Sequence, residues 1–308
     1  MKKLIFTLIL FAVAFNIKAQ QMAYTSPLQD LQHIWNPAFT AYSTNLEFTG
    51  FYRKQWIGFN NAPNTAAATI QYPFVDMNMS AGVAIISDKT GPVSKLGIQL
   101  SYSYKLKEIF SRDDQLSLGI NGFFHQYRFD PSQEILNQPD DILVMQMMNA
   151  ESKFVPSMGF GFAYFSSTEE YDGDNIFYVG ASTLQLLKST VALSTATAPR
   201  ERHYFINLGS KFYGYETMIE PSIQINYLDP ELIDIVLGVR YELEETFWAG
   251  LNYSSLNELS LNGGVILNDV GDKYSSLRIG VMANINAGAI SNAGPGLEFY
   301  IAYRFDMD

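Results

Sequence analysis

The chain has 308 residues, of which 47% are hydrophobic and 14% aromatic but only 17% charged, and its formal net charge is −11. The acidic balance argues against a nucleic-acid partner, because neutralising phosphates requires an excess of Lys and Arg. The chain has no Cys, which suits export into an oxidising compartment but also suits many cytosolic proteins.

The N-terminal residues have the order that is typical of a secretory signal peptide. Lys2 and Lys3 precede an apolar run from Leu4 to Phe15, and a short segment ending in Ala19 follows. The alternative is a membrane anchor, but about twelve apolar residues are too few to cross a bilayer, which needs roughly 20. The sequence therefore predicts a signal peptide over residues 1–19, with cleavage after Ala19.

After the signal peptide no stretch has the length of a transmembrane helix, so the apolar residues are dispersed in short runs. Residues 95–106 alternate with a period of two, which divides them between the two faces of a strand. One face carries Leu96, Ile98, Leu100, Tyr102, Tyr104 and Leu106, and the other carries Lys95, Gln99, Ser101, Ser103 and Lys105. Residues 219–227 and 233–241 repeat this division. It is typical of a transmembrane β-barrel, whose strands show lipid only every second side chain.

Runs of this kind, separated by clusters of Gly, Pro, Asn and Asp, predict about fourteen strands. They cover residues 45–56, 65–74, 79–87, 94–106, 114–130, 154–166, 174–185, 202–213, 216–227, 231–243, 246–255, 258–267, 274–286 and 296–305. The even number is typical of single-chain bacterial outer-membrane barrels. The sequence thus predicts an all-β fold, a transmembrane antiparallel β-barrel over residues 45–308. Residues 20–44 would form an N-terminal periplasmic or luminal segment.

Loop lengths support the barrel, because such barrels have short periplasmic turns and longer extracellular loops. The long connections 131–153, 186–201, 57–64 and 287–295 all follow odd-numbered strands. The tight connections 213–215 and 243–245 follow even-numbered strands, although 166–173 is longer. This pattern places both termini and the short turns on the periplasmic side.

A soluble β-sandwich is the alternative fold, since its strands also alternate. Aromatic residues near the strand ends favour the barrel, because they are typical of the girdles at membrane interfaces. These residues are Tyr102, Tyr104, Phe162, Tyr164, Tyr253, Phe299 and Tyr303. The last strand alternates from Leu297 to Phe305, which resembles the terminal aromatic strand of outer-membrane barrels, although its usual glycine is not in register.

The sequence offers no residues for catalysis, a metal or a cofactor. His33, His125 and His203 lack metal-ligand spacing and suit ordinary polar positions. Gly159 and Gly161 fit small, interior-facing strand positions better than a nucleotide-binding loop. The paired carboxylates at 113–114 and 140–141 fit solvated turns, and no serine is marked as a nucleophile. We therefore expect no enzymatic activity.

One segment carries the most specific resemblance to a known family. Tyr52, Arg53, Lys54, Gln55, Trp56, Ile57, Gly58 and Phe59, followed by Ala62, Pro63 and Thr65, resemble an early strand and loop of the PorP/SprF family of Bacteroidetes outer-membrane proteins. Three further stretches agree in order and spacing. They are Trp35, Asn36, Pro37 and Ala38; Ser87, Asp88, Lys89, Thr90, Gly91 and Pro92 in the second external loop; and Phe154 to Phe165 followed by Tyr178 to Ser182. Departures at Ala41 and Asn61, where the family usually has glycine, favour a paralogue over the founding member.

The resemblance implies a role in the type IX secretion system. Partners would be outer-membrane lipid and either a secretion substrate, through the C-terminal domain of a large gliding adhesin, or subunits of the secretion machinery. The family-motif positions would be structural or partner-binding. If Trp56 faces lipid, Arg53 and Gln55 face the interior, where they could tether residues 20–44. The competing hypotheses are a channel for hydrophobic or small solutes, which also suits about fourteen strands, and an outer-membrane enzyme.

Overall fold

The computed structural model describes residues 29–130, 150–167, 175–187, 189–193, 196–230, 232–243, 246–272, 274–286 and 294–307. The predicted signal peptide with its cleavage site, residues 20–28 and most of the predicted loop 131–153 lie outside the described residues. So do the acids at 140–141 and the predicted strand ends at 174 and 231.

Fourteen long strands form the wall of the molecule. They are β1 (Asn45–Lys54), β2 (Asn64–Phe74), β3 (Met79–Thr90), β4 (Val93–Lys107), β5 (Gln115–Phe129), β6 (Val155–Phe165), β7 (Ile176–Leu184), β8 (His203–Tyr213), β9 (Thr217–Asp229), β10 (Leu232–Leu243), β11 (Phe247–Ser254), β12 (Glu258–Asn268), β13 (Ser275–Asn286) and β14 (Gly296–Asp306). Each strand pairs antiparallel with its neighbour in sequence, and β1 pairs with β14 from Asn45 opposite Asp306 to Lys54 opposite Leu297. The predicted fourteen-stranded antiparallel barrel is confirmed. Closure leaves the fourteen strands of the ring without a free edge, which is how a barrel satisfies its backbone groups in a membrane.

The two faces of the wall divide as the alternation predicts. On β4, Leu96 and Leu100 are 40% and 50% exposed on the outside, whereas Gln99 and Ser103 are 1% and 0% exposed in the lumen. Strands β9 and β10 repeat the division, with Glu220, Asp234 and Arg240 buried inside. The outer face is an apolar surface that suits lipid, and the lumen is lined mainly by polar side chains.

The connections have different lengths at the two ends of the barrel. The end that holds the start of β1 and the end of β14 has short turns such as 75–78 and 214–216. The opposite end has the two longest connections, 130–154 and 185–202, which begin after odd-numbered strands as predicted. It also has very short turns, because β3 continues through residues 87–90 and leaves only Gly91 and Pro92 to join it to β4.

Small elements complete the described chain. A four-residue helix α1 (Gln32–Trp35) and a 3-10 turn (Pro37–Phe39) precede β1, and a second 3-10 turn (Val75–Met77) follows β2. A two-residue strand (Ala150–Glu151) pairs with the end of β5. Thr190–Leu193 and Ala196–Pro199 pair as a small hairpin within the connection 185–202, which the sequence predicted as loop. Among the described residues, no helix has the length and apolarity needed to cross a membrane.

Candidate functional site

Residues 29–44, which we call the luminal segment, lie inside the barrel. Leu31, Ile34 and Trp35 are at most 4% exposed. They pack against inward-facing apolar residues of five strands, which are Phe51, Phe123, Leu184, Phe205 and Val236. Full burial of such side chains stabilises by about 1.5–3 kcal/mol each. The segment is therefore a packed part of the interior and fills much of the lumen at this level.

Glycines in the wall make room for the tightest part of the luminal segment. A Cβ atom on Gly161 of β6 would lie 2.1 Å from Oδ1 of Asn36, and one on Gly119 of β5 would lie 2.3 Å from the backbone N of Ala38. On β7, a Cβ on Gly180 would lie 2.8 Å from Nδ2 of Asn36. These three glycines, Gly119, Gly161 and Gly180, lie on adjacent strands, and we call them the glycine seat. The prediction that Gly161 is a small, interior-facing position agrees with this arrangement.

Two residues of the family motif shape the segment on this seat. The side chain of Asn36 accepts a hydrogen bond from the backbone N of Ala38 at 3.1 Å and donates to the carbonyl of Phe162 at 3.1 Å. Pro37 follows at the first position of the 3-10 turn, where its fixed φ and missing N–H are tolerated. Asn36 thus caps a local turn and fastens it to β6.

Side chains of the wall also hold the backbone of the luminal segment. Five donors on four strands reach five of its carbonyls at 2.7–3.4 Å: Gln99 to His33, Ser182 to Trp35, Ser80 to Thr40, Gln115 to Tyr42 and Lys105 to Ser43. Gln71 accepts from the backbone N of Ala41 at 2.8 Å. These bonds satisfy buried backbone groups that a strand ladder would otherwise satisfy. None of these hydrogen bonds involves a side chain of the luminal segment.

Asp30 joins the luminal segment to a row of charges in the wall. It accepts from Arg240 at 2.9 Å and from Arg304 at 3.1 Å. The row continues from Arg304 to Glu47 on one side, and from Arg240 to Glu242 at 3.3 Å and on to Arg278 at 2.8 Å on the other. We call these six residues the ion-pair row. Since it contains three arginines and three carboxylates, its charges balance, as buried ions require.

Two titratable groups of the luminal segment have shifted pKa values. Burial raises the pKa of Asp30, but Arg240, Arg304 and Arg278 outweigh it and bring that pKa down to about 2. Burial lowers the pKa of His33 to about 4, against the opposing effect of the Glu47 carboxylate. Asp30 is therefore charged and His33 neutral at any pH near 7.

A cavity of about 560 Å³ lies beside the luminal segment, at the end of the barrel that holds the start of β1 and the end of β14. One wall is aromatic and includes Phe39, Tyr42, Phe165 and Tyr178, with Tyr42 stacked on Phe165 at a centroid distance of 4.8 Å. The opposite wall contains the ion-pair row. The turn 214–216 between β8 and β9, with the strand ends beside it, forms part of the rim. The cavity is amphipathic and has the size of a typical ligand pocket.

Arg53, a residue of the family motif, lies at the centre of a second buried ion group. It points into the lumen from β1 and is 1% exposed. It donates to both carboxylate oxygens of Glu258 at 2.8 and 2.9 Å and lies 3.3 Å from Glu298. Within the described residues these partners belong to β12 and β14, so Arg53 braces the wall across the β1–β14 closure.

The other residues of that motif form the loop after β1. The strand ends at Lys54, two residues earlier than predicted, because the backbone N of Gln55 bonds to the carbonyl of Pro63 and starts the loop. Trp56 has a left-handed φ of 49° and Gly58 a φ of 118°. Ala62 and Pro63 are buried and precede β2. The alternation of inward and outward side chains along β1 therefore does not extend to Gln55 and Trp56. This part of the motif determines the shape of a loop.

The second motif stretch forms the tight turn between β3 and β4. Asp88 and Lys89 lie in the β3 ladder, and Asp88 accepts from the Thr65 hydroxyl at 2.7 Å. Gly91 has a φ of 55° and Pro92 follows it, which is the arrangement of a two-residue type II′ hairpin. This stretch is thus mainly strand and turn, where the sequence predicted a longer external loop.

The structure brings together charged groups that the sequence left apart. Nη2 of Arg200 lies 2.9 Å from Nδ1 of His125, and both residues are at most 5% exposed. Within the described parts of the chain no group of His, Cys, Asp and Glu has the arrangement of a metal site. Of the turn acids, Asp114 is buried and accepts from the backbone N atoms of residues 109, 110 and 111.

The sequence alone did not indicate the residues of the ion-pair row, apart from Arg240 on the polar face of its strand. A signal was available, because a charged residue on the same strand face as Ser, Asn and Gln must point into the lumen. That signal indicates which face of the strand the charged residue occupies, but it does not indicate which residue it pairs with.

Comparisons with known proteins agree with this architecture. A family model described as type IX secretion system membrane protein PorP/SprF matches residues 17–304. Similar solved structures include the monoaromatic hydrocarbon channel CymD, at a TM-score of 0.55 and 11% identity over 89% of this chain and 92% of that chain. The Pseudomonas putida toluene transporter TodX gives a TM-score of 0.51 and 8% identity over 93% and 95%. A Pseudomonas aeruginosa FadL homologue gives 0.50 and 10% over 89% and 93%. No curated protein matches the chain. The solved structures share the fold.

Proposed function

This chain belongs to the PorP/SprF family of type IX secretion system membrane proteins, and we propose that it engages a partner polypeptide of that system at the outer membrane. The preferred partner is a secreted protein such as a large gliding adhesin, which the barrel would help to export and to hold at the cell surface through its C-terminal domain. Subunits of the secretion machinery are the second class of partner. The signal peptide over residues 1–19 would direct export.

The occupied lumen is the observation that carries the proposal. The luminal segment is packed on the glycine seat, tied by the ion-pair row and bound along its backbone. A channel for small polar solutes needs a continuous wet path, and here buried apolar side chains such as Trp35 lie in the lumen. The likeness to hydrocarbon channels concerns the fold, so it does not carry their transport function to this chain.

We also infer that the barrel works without catalysis. The carboxylates of the ion-pair row are held by arginines at 2.8–3.3 Å, which favours a structural role for them over proton transfer. An outer-membrane enzyme would instead show an activity that disappears when one Ser or Asp is changed.

The test is co-purification from native outer membranes with an affinity tag. We expect a large secreted protein or a type IX secretion subunit to be recovered with the barrel. Recovery of neither, from membranes in which the tagged barrel is folded, would contradict the proposal.

Planar-bilayer conductance separates the proposal from the alternative, an outer-membrane channel for hydrophobic or small solutes. We expect the purified chain to give no steady current steps, and deletion of residues 29–44 to produce them. Stable steps from the intact chain, without any protein partner, would favour the channel.

A further inference from the structure

The lumen wall is built to bind polypeptide backbone. Its donors satisfy five carbonyls of the luminal segment, and none of these contacts depends on the segment's side chains. A carbonyl is common to all residues, so this chemistry suits any extended polypeptide. The wall thus provides an example of the contacts that a second polypeptide would make.

Three side chains that line the cavity have a nitrogen atom without a hydrogen-bond partner among the described residues. These atoms are Nε of Arg240, Nε of Arg278 and Nε2 of His33. The three residues are 6%, 9% and 4% exposed. A buried polar group without a partner costs about 1–3 kcal/mol. These nitrogen atoms are themselves buried, so a ligand that brings acceptors to this wall recovers part of that cost when the guanidinium groups turn towards it.

The charge of the lining indicates which acceptors fit. Among the described residues, four cations and five carboxylates line the cavity, so this part of its wall has no excess positive charge. An anionic ligand would gain little attraction there, whereas neutral carbonyl oxygens can accept from the guanidinium groups without disturbing the ion-pair row. The opposite wall, with Tyr42 stacked on Phe165, suits an apolar or aromatic side chain.

We propose that this cavity binds a short extended segment of a partner polypeptide, which enters from the end of the barrel that holds the start of β1 and the end of β14. Its backbone carbonyls accept from Arg240 and Arg278, and one apolar or aromatic side chain packs on Tyr42 and Phe165. The inference rests on the proposed function, because it names where the partner of the secretion system inserts.

Site-specific photocrosslinking tests where the partner lies. Replacement of Tyr213, which lines the cavity, by the photoreactive analogue p-benzoylphenylalanine should crosslink the co-purified partner after irradiation of native membranes. The matched control is Tyr241, which lies near the same end of the barrel but is 37% exposed on the outer face. Support requires that mass spectrometry map the Tyr213 crosslink to one segment of the protein recovered by co-purification.

A pair of filling substitutions gives an independent measurement. Met218→Trp places a large ring in the cavity, and the neighbouring Ile219→Trp places the same ring on the outer face, where Ile219 is 44% exposed. We expect Met218→Trp to lower recovery of the partner at least tenfold and Ile219→Trp to leave it unchanged. If Met218→Trp does not fold, by heat-dependent gel mobility, the crosslinks decide alone.

The outcomes separate this inference from the proposed function. Recovery of the partner without a Tyr213 crosslink, and without loss in a folded Met218→Trp variant, overturns the cavity as the binding site and leaves the proposed function standing. A crosslink to lipid alone also overturns it. Failure to recover any secretion partner with the unmodified chain contradicts the proposed function itself.

Discussion

The substitution Asp30→Asn tests how firmly the luminal segment is held. Removing one member of a buried ion pair typically costs about 3–5 kcal/mol, because the other charge is left alone. After the substitution Arg240 still pairs with Glu242 at 3.3 Å, and Arg304 still pairs with Glu47. Because neither arginine is left alone, we expect a smaller loss of docking free energy, about 2–3 kcal/mol. The pKa gives a consistent value, since a drop from 3.8 to about 2 corresponds to about 2 kcal/mol.

The direction of the Asp30 pKa shift determines the pH at which its contribution to docking should be measured. The pKa of Asp30 is lower in the folded protein than its ordinary 3.8, so its stabilisation is complete above about pH 4 and is lost as the pH falls towards 2. At neutral pH the full effect of Asp30→Asn applies. A cost of about 2–3 kcal/mol raises the population of the released segment about 30- to 150-fold.

A single cysteine reports this population, because the chain has no Cys of its own. Thr40 is suitable: it is 0% exposed, and its hydroxyl has no partner among the described residues. With Thr40→Cys as background, the rate of maleimide labelling follows release of the segment. We expect Asp30→Asn to raise that rate about 30- to 150-fold. Asp113→Asn, which removes an exposed charge at the same end, is the control. A rise below threefold, or an equal rise in the control, would refute this account of the ion-pair row.

Three further predictions concern the seat, the second ion group and pH. Gly161→Ala should raise the labelling rate at least about fivefold, because overpacking costs roughly 1–3 kcal/mol; Gly122→Ala, whose Cβ meets nothing nearer than 4.0 Å, should not. Arg53→Met should destabilise the barrel by about 3–5 kcal/mol in urea unfolding, because two buried carboxylates lose their cation; Lys54→Met, at an exposed neighbour, should change it by less than about 0.5 kcal/mol. The pKa of His33 is lowered from 6.5 to about 4, so docking should weaken as the pH falls through that window. Labelling, corrected for the thiolate fraction, should rise over that window, and His33→Gln should abolish the rise.

Different results would contradict each of these. Equal labelling of the two alanine variants would mean that the segment does not depend on the glycine seat. An Arg53→Met barrel as stable as Lys54→Met would show that the second ion group contributes little. A pH profile that persists in His33→Gln would assign the weakening to another group.

Most of the barrel could be predicted from sequence because lipid imposes a strict period of two on the outer face. All fourteen strands were found, and the differences lie at their ends. The predicted third strand stops at residue 87, whereas β3 continues to Thr90. The polar residues Asp88 and Lys89 resemble a loop in composition, but they pair with neighbouring strands. Alternation in polarity therefore locates the apolar part of a strand and says less about its polar ends.

The candidate site could be predicted only in part. The polar face of Arg240 and the small interior position of Gly161 follow from alternation. Their partners do not, since Arg240 and Asp30 are 210 residues apart and meet only because the segment folds back into the closed ring. The glycine seat is similar, because each glycine lies in a regular strand and only the positions of Asn36, Pro37 and Ala38 give it a function.

The charge balance of the lumen constrains what can replace the luminal segment. Of the six residues in the ion-pair row, five belong to the wall and only Asp30 belongs to the segment. Release of the segment therefore leaves three arginines facing Glu47 and Glu242, an unbalanced positive charge in a buried site. A polypeptide that occupies the cavity beside the segment needs no charge there, but one that displaces the segment must supply a carboxylate near Arg240 and Arg304. A partner that displaces the luminal segment thus needs one acidic residue that a partner bound in the cavity beside the segment does not need.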